Sequence, residues 1–316
     1  MDPAPSPRPP RRRFPWVNVV LFLATVATTT VAGAGQAPLP QGGLTVGGVV
    51  ETGLPFSAAI VGILLAHELG HYLMARAWRV DTTLPYFIPA PFGVGTFGAV
   101  IRIRSLMPSR RAVLDIGAAG PIAGFLVAVP LLAWGLAHSE VRPVGTLALA
   151  ASNVGSPFEA LRALWRGEAL RAGGGDVQLM GDSLVTWLLT RLVAGAPAPG
   201  YDVFLHPVGF AAWLGLFVTT LNLLPIGQLD GGHVLYALLG RSRAAAASRA
   251  VSWGLFLAGF FLSWNWLLWW LLTRAVVGLR HPAALAEEPL SAGGRALAVA
   301  SLLLFALTFI PVPIAV

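Results

Sequence analysis

Residues 61–71 read Val61-Gly62-Ile63-Leu64-Leu65-Ala66-His67-Glu68-Leu69-Gly70-His71. They belong to an apolar segment from about Leu54 to Trp78, which is long enough to cross a bilayer as a helix. A charged group at bilayer depth costs about 2.5–3.5 kcal/mol on the insertion scale. Three polar side chains so close together in such a segment need a reason, and we expect His67, Glu68 and His71 to be functional.

The spacing of these side chains predicts a metal site. On a helix, His67 and His71 lie one turn apart on one face, where two imidazoles can bind a single Zn²⁺. Glu68 is displaced by about 100° and can reach a water molecule at the metal, which suits a general base. The alternative is a chance match whose histidines are satisfied in a packed core.

A third ligand is expected outside this helix. Catalytic zinc usually has three protein ligands, and with no cysteine in the chain the third must be His, Asp or Glu. Asp230 is the best candidate, in the segment Asn222-Leu223-Leu224-Pro225-Ile226-Gly227-Gln228-Leu229-Asp230-Gly231-Gly232-His233. Pro225 and the paired glycines should break a helix there, and broken backbone at membrane depth is tolerated only where it lines protein or a cavity. We therefore expect one Zn²⁺ per chain.

The composition excludes several classes of protein. Of 316 residues, 56% are hydrophobic and 11% are charged, whereas soluble domains are about a quarter charged. All 21 basic residues are arginine, and they are scattered between apolar segments rather than gathered on one face, which argues against nucleic-acid binding. The lack of cysteine excludes disulfides, thiolate zinc sites and a cysteine nucleophile.

The apolar segments predict an all-α polytopic membrane protein with about seven transmembrane helices. Six is the alternative, if residues 244–279 form one kinked helix instead of a hairpin broken near Ser263. The expected division is a disordered cytosolic tail (1–15), three spans near 16–34, 54–78 and 112–137 (16–137), an outer segment with amphipathic helices (138–203), a fourth span carrying the Asp230 motif (204–240), and C-terminal spans (241–316).

Arginine placement predicts the orientation. Positive charge gathers before the first span and after the second, in Arg8, Arg11, Arg12, Arg13, Arg79, Arg102, Arg104, Arg110 and Arg111. Cytosolic loops carry such an excess, so we expect a cytosolic N-terminus. The first apolar segment is expected to be a retained helix, with a cleaved signal peptide as the alternative. Exclusive use of arginine is typical of a GC-rich bacterial genome, which predicts a bacterial inner membrane.

Residues 84–105 are expected to form a short cytosolic β-hairpin after the second helix. Three prolines are followed by the alternating sequence Val100-Ile101-Arg102-Ile103-Arg104. An edge strand beside the metal could hold an unwound substrate by β-augmentation. A hairpin that only orders the loop explains the pattern equally well.

HExxH in a membrane helix, followed about 150 residues later by NxxPxxxLDG, resembles the site-2 protease family of intramembrane zinc metalloproteases. Gly95-Thr96-Phe97-Gly98-Ala99 and Ala119-Gly120-Pro121 are also similar to that family. The resemblance covers about residues 54–240 well. Since no PDZ insertion is apparent, the chain is most similar to the compact branch found in cyanobacteria and plastids.

The resemblance implies a zinc metalloendopeptidase that performs regulated intramembrane proteolysis. Its substrates would be the transmembrane segments of single-pass membrane proteins, often already cut by another protease. It assigns His67, His71 and Asp230 as zinc ligands, Glu68 as catalytic base, and Asn222 to the substrate carbonyl or oxyanion. Helix–helix hydrogen bonding is the alternative for Asn222. Alternatives from other classes are a membrane zinc transporter and a metal-binding, non-catalytic scaffold.

Other residues near these motifs are expected to support them. Gly117, Gly120 and Gly124 share one face of the third span and predict close packing, most simply against the HExxH helix. His233 is expected to cap a helix or to hydrogen-bond a metal ligand. His281 is expected to be a membrane-boundary residue.

Overall fold

The computed structural model describes residues 14–36, 45–143, 156–168, 179–279, 281 and 284–315. Residues 1–13 of the predicted disordered tail therefore lie outside the described residues. The described chain is mostly helical. Its helices are α1 (Trp16–Ala34), α2 (Val46–Ala77), α3 (Arg110–Ala137), α4 (Pro157–Trp165), α5 (Leu184–Val193), α6 (Pro207–Asn222), α7 (Asp230–Leu239), α8 (Arg241–Phe261), α9 (Trp264–Leu272), a π-helical turn (Thr273–Val277) and α10 (Ala292–Thr308).

Six short strands correct the expectation of an all-α fold with a single hairpin. They are β1 (Tyr86–Pro89), β2 (Thr96–Val100), β3 (Glu140–Pro143), β4 (Leu179–Met180), β5 (Tyr201–Phe204) and β6 (Ile314–Ala315). They form three antiparallel pairs, β1 with β2, β3 with β5, and β4 with β6. The sequence predicts only the first of these pairs, because the partner strands of the other two pairs lie far apart in the chain.

Four described helices, α1, α2, α3 and α8, are long and apolar enough to cross a membrane. Three shorter apolar helices, α5, α6 and α10, do not reach that length. A helix of 16 residues such as α6 rises about 24 Å, less than the roughly 30 Å of a hydrocarbon core. The expected count of seven, or six, spans is thus not confirmed, and the five-part division of the chain stays a prediction.

Local signals in the sequence set several helix ends. The Thr45 side chain accepts a hydrogen bond from the Gly48 N–H, so α2 begins about eight residues before the expected Leu54. The helix then runs through Pro55, which removes one helical donor without ending it. The predicted break near Ser263 is confirmed, because Ser263 is the N-cap of α9.

The core surrounds α2, which packs against α1, α3 and α6. Phe56, Ile60 and Leu64 lie on its buried side against Ala211 of α6. A neighbouring cluster joins Ile63 to buried residues of α3 and α6. The apolar face of α2 is therefore covered by protein over most of its length, and this packing holds the HExxH motif at the centre of the molecule.

The β1–β2 hairpin lies along α1. Near the start of α1, the Asn18 amide donates to the backbone carbonyls of Leu84 and Pro85 at 3.2 and 2.8 Å. Further along, the Thr28 hydroxyl donates to the carbonyl of Gly95 at 2.6 Å. These contacts are separated by about 15 Å of helix. This placement differs from a wholly cytosolic hairpin, because the contact at Thr28 lies well inside a candidate membrane span.

The expected strand over Val100–Arg104 is displaced. The regular strand β2 ends at Val100, and beyond it Ile103 forms an isolated antiparallel bridge with Thr82. The backbone hydrogen bonds from Thr83 to Arg102 and from Arg104 to Asp81 keep this segment extended. Residues 100–104 therefore continue the hairpin with altered register.

Candidate metal centre

Two imidazoles and one carboxylate meet between α2 and α7. Oδ2 of Asp230 lies 3.3 Å from Nε2 of His67 and 3.3 Å from Nε2 of His71. The two Nε2 atoms are 3.1 Å apart, and both histidines are buried. In the described part of the chain, these three residues form a group that could hold a metal ion. The structure therefore brings together the three side chains that the sequence proposed as ligands.

A tight turn carries Asp230 to the histidines. Helix α6 ends at Asn222, and α7 starts at Asp230 itself. In the turn, Gly227 adopts φ +54°, which favours glycine. A Cβ on Gly232 would lie only 2.6 Å from the carbonyl oxygen of Ile226. The glycines thus let the backbone fold closely enough for a helix to begin with the ligand, where the helix dipole favours a negative charge.

The protein fixes the orientation of the His71 ring. Its Nδ1 lies 2.7 Å from the carbonyl oxygen of Ile116, which can only accept, so the proton is on Nδ1. The Nε2 lone pair of His71 then faces His67 and Asp230. This arrangement, with one ring nitrogen donating to a carbonyl and the other left as a ligand, is typical of metal-binding histidines.

The expected glycine packing is confirmed around these rings. A Cβ on Gly120 would overlap the His71 imidazole, and one on Gly124 would lie 3.2 Å from Nδ1 of His67. A Cβ on Gly117 would come within 2.7 Å of the His233 side chain. The glycine face of α3 therefore lies directly against the candidate ligands of α2 and against α7.

The donor set fits a zinc ion. The amide nitrogen of Asn222 lies 3.2 Å from Nε2 of His67 and can only donate, so this ring nitrogen is an acceptor. Nε2 of His67 and Nε2 of His71 both lie beside Oδ2 of Asp230. Three acceptors within 4.8 Å of one another are stabilised by positive charge between them, which a bound cation can supply. Two imidazole nitrogens and one carboxylate oxygen are a common ligand set for catalytic zinc.

Glu68 and Asn222 line the same cavity as the three candidate ligands. The cavity has a volume of about 240 Å³, and its other lining residues include Ile101, Ile103 and His233. Ile101 and Glu68 both line this cavity, so the hairpin segment borders the expected base. Glu68 is buried and lines this cavity, which has room for water molecules.

His281 was missed as part of the site. Its Nε2 lies 2.5 Å from Nδ1 of His233, and its ring stacks on Tyr236 with centroids 4.2 Å apart. Tyr236 donates to the Glu287 carboxylate and accepts from the Ala284 N–H. His281 is buried, and its expected position at a membrane boundary stays a prediction. No spacing in the sequence signals this contact, because 48 residues separate the two histidines.

The fold and this site define a helical membrane protein with a candidate HExxH metal centre. The family model described as peptidase family M50 matches residues 55–264. The chain therefore belongs to peptidase family M50.

Several named relatives support this assignment. "Probable zinc metalloprotease EGY1, chloroplastic" of Arabidopsis thaliana is 32% identical over 266 residues, which cover 83% of this chain and 44% of that protein. EGY1 of Oryza sativa subsp. japonica is 34% identical over 193 residues, or 61% of this chain and 29% of the relative. EGY2 of Arabidopsis thaliana is 31% identical over 202 residues, which cover 64% of this chain and 32% of the relative.

The chain spans less than half the length of these curated relatives. Their chloroplastic names agree with the expected similarity to plastid members. No solved structure gives a significant match to the chain.

Proposed function

We propose that this protein is an intramembrane zinc metalloendopeptidase that cleaves transmembrane segments of single-pass membrane proteins. The observation that carries the proposal is the convergence of His67, His71 and Asp230 beside Glu68 in one cavity. Membership of a peptidase family supports the same chemistry. A transporter would need several sets of metal ligands along a path. The three candidate ligands described here instead converge on one position, and a candidate base lies beside them.

Each residue has a proposed role. His67 and His71 through Nε2, and Asp230 through Oδ2, would hold the zinc. When bound, zinc supplies a Lewis acid that polarises a carbonyl and makes water more acidic. The Glu68 carboxylate takes a proton from the attacking water and delivers it to the nitrogen of the leaving amine. The Asn222 amide is placed to donate to the substrate carbonyl oxygen, where negative charge develops.

The extended segment 100–104 is proposed to hold the substrate. A helical peptide bond is already hydrogen-bonded and poorly exposed, so a transmembrane substrate must unwind before attack. Ile101 and Ile103 line the cavity together with Glu68, and a substrate strand paired with this segment would lie along the cavity. This position beside the cavity supports β-augmentation over a hairpin that only orders its loop.

We place the protein in a membrane with its N-terminus in the cytosol, on the basis of arginine placement. A bacterial inner membrane is the proposed location, while the relatives are named as chloroplastic. The proposed substrates are single-pass proteins, including ones already trimmed by another protease, as in regulated intramembrane proteolysis.

The test combines Glu68→Gln with a cleavage assay. Wild type and variant would be co-expressed with a panel of tagged single-pass membrane proteins, and zinc per chain would be measured in the purified proteins. We expect about one zinc per chain in both and cleavage by the wild type only. Glu51→Gln is a matched control, because Glu51 is exposed on the same helix and should leave cleavage unchanged.

Three other outcomes of this test would contradict the proposed protease function. A chain that binds no zinc would overturn the proposal. Zinc uptake into vesicles that is lost in His67→Ala but retained in Glu68→Gln would favour a transporter. Bound zinc with neither cleavage nor transport would favour a scaffold.

A further inference from the structure

The extended segment 100–104 uses only one of its two edges within the hairpin. Thr83 donates its N–H to the carbonyl of Arg102 at 3.1 Å, and Arg104 donates to the carbonyl of Asp81 at 2.8 Å. The Arg102 N–H also donates to the Thr83 hydroxyl at 3.0 Å. The backbone groups of Arg102 and Arg104 are thus the ones turned toward residues 81–83.

The opposite edge belongs to Ile101 and Ile103. Successive residues of an extended chain direct their backbone N–H and C=O groups to opposite edges. Ile101 and Ile103 line the same cavity as Glu68. Within the residues that the structure describes, Ile103 has no backbone hydrogen-bond partner. The free edge therefore faces the candidate active site.

Side chains of the segment divide between two faces. Ile101 and Ile103 line the cavity, while Arg102 and Arg104 are exposed on the other face. No described carboxylate lies within 4 Å of either guanidinium. Because Thr82 is bridged to Ile103, Arg104 stands opposite the acidic residue Asp81, whereas Arg102 stands opposite a threonine.

We propose that Arg102 is a specificity residue, which favours substrates carrying Asp or Glu next to the residue that enters the cavity. A substrate strand on the free edge alternates its side chains as this segment does. Every second substrate residue meets Ile101 and Ile103, and the one between them lies opposite Arg102 on the exposed face. The proposal rests on the proposed function, since it assumes that this edge receives the substrate.

The expected effect of Arg102 on substrate affinity is modest, because it depends on the charge of a single substrate residue. Opposite charges directly across two strands attract and like charges repel, and at an exposed site this changes affinity up to about fivefold. Arginine suits the role because its planar guanidinium can hold both oxygens of a carboxylate. Arg104 contributes less, because Asp81 already provides a negative charge across the ladder.

The test is a charge swap measured by binding and by cleavage. Three labelled peptides would differ at one position, with Glu, Gln or Lys beside the residue that faces the cavity. Their Kd would be measured on Glu68→Gln protein, which should bind without cleaving, with and without Arg102→Glu. We expect Kd to rise about three- to tenfold from the Glu to the Lys peptide with Arg102 present, and this order to reverse in Arg102→Glu.

In Arg102→Gln, the Kd values of the three peptides should be nearly equal. This neutral variant keeps the test informative if the charge reversal in Arg102→Glu disturbs folding. Arg243→Glu is the matched control, since Arg243 is exposed on α8 away from the strand, and it should leave the order unchanged. In the cleaving protein the same preference should appear in KM, with kcat altered less than twofold.

The proposal is overturned if Arg102→Glu leaves the order of the peptides intact, or if Arg243→Glu changes it equally. It is also overturned if the effect of Arg102 is the same for all peptides and vanishes in phosphatidylcholine vesicles without phosphatidylglycerol, because Arg102 then binds lipid. Failure of the proposed function would look different: wild type would cleave none of the peptides, while charge-dependent binding could persist.

Discussion

Gly120 on α3 lies directly against the imidazole ring of His71 on α2, with no room for a side chain between them. The same ring donates from Nδ1 to the carbonyl of Ile116, one turn earlier on α3. Helix α3 thus orients a candidate zinc ligand through a missing side chain and a backbone oxygen. Both contacts come from a helix that contributes no ligand of its own.

Gly120→Ala is therefore expected to weaken zinc binding by about 10–100-fold, the range for disturbing a group that orients a metal-ligating histidine. The added methyl group would overlap the His71 ring. Zinc affinity measured by competition with a chelator checks this. Gly62→Ala is the control, because a Cβ on Gly62 meets no atom within 4 Å. Equal affinities for the two variants would contradict the contact described.

Asp230→Ala should remove zinc more completely than loss of an orienting group, with affinity falling at least about 100-fold. The two Nε2 lone pairs would remain, but the negative charge between them would be lost. Zinc per chain after dialysis is the measurement, with Asp182→Ala as a control in the outer segment. Retention of a full zinc equivalent would remove Asp230 from the ligand set.

His281→Phe should lower stability by about 1–3 kcal/mol, because buried His233 loses the hydrogen bond at Nδ1. The new ring can still stack on Tyr236, which isolates the hydrogen bond from the aromatic contact. Thermal unfolding in detergent measures the change. Tyr201→Phe removes an exposed hydroxyl and should alter stability by less than about 0.5 kcal/mol. Similar Tm values for both variants would show that the His233–His281 contact adds no stability.

His206 should make stability depend on pH. Burial and the neighbouring His138 lower the pKa of His206 below its usual value of 6.5, and its Nδ1 accepts from the Val208 N–H at the start of α6. The unfolded chain therefore binds this proton first, so stability is lost as pH falls through about 6.5.

His206→Asn keeps a capping acceptor without the titration. Its Tm should fall less than that of the wild type between pH 7.5 and pH 5.5. Because the candidate metal site titrates identically in both proteins, the difference between them reports His206. If Tm changes equally with pH in the two proteins, His206 does not contribute to the pH dependence of stability.

The tip of the β1–β2 hairpin should be shielded from water. Phe92 and Phe97 are exposed on the protein surface, yet the nearby Gly95 contacts Thr28 inside a candidate span. The chain contains no cysteine, so single-cysteine variants can be labelled without background. Phe92→Cys in vesicles should react with a water-soluble maleimide at least about tenfold more slowly than Ser105→Cys. Equal labelling rates would instead support a wholly cytosolic hairpin.

The sequence predicts this fold best where one long apolar run determines one helix. The bounds of α1 agree with the expectation, and α3 begins within two residues of it, because hydropathy alone defines these segments. Short elements were harder to predict. The strand β2 ends where the alternating pattern begins, since the register changes between the pair Tyr86–Val100 and the bridge Thr82–Ile103.

The candidate site also contains residues that the sequence predicts and contacts that it does not. His67, Glu68 and His71 are recognisable because they share one helix turn, and the glycines near Asp230 indicate a turn that could bring it close. The contact of His281 with His233 depends on how the segment after the π-helical turn returns to α7, which no local pattern encodes. Likewise, backbone oxygens such as that of Ile116 carry no residue-specific signal.

Gly227, in the turn before Asp230, approaches the carbonyl oxygen of Gly278 so closely that a Cβ would overlap it. No side chain separates the two backbones, so a change of rotamer cannot widen or narrow the contact. A tilt of the tryptophan-rich α9 and its π-helical end must then either break this contact or move the turn. The position of α9 and the position of Asp230 are therefore mechanically coupled through two backbones in direct contact.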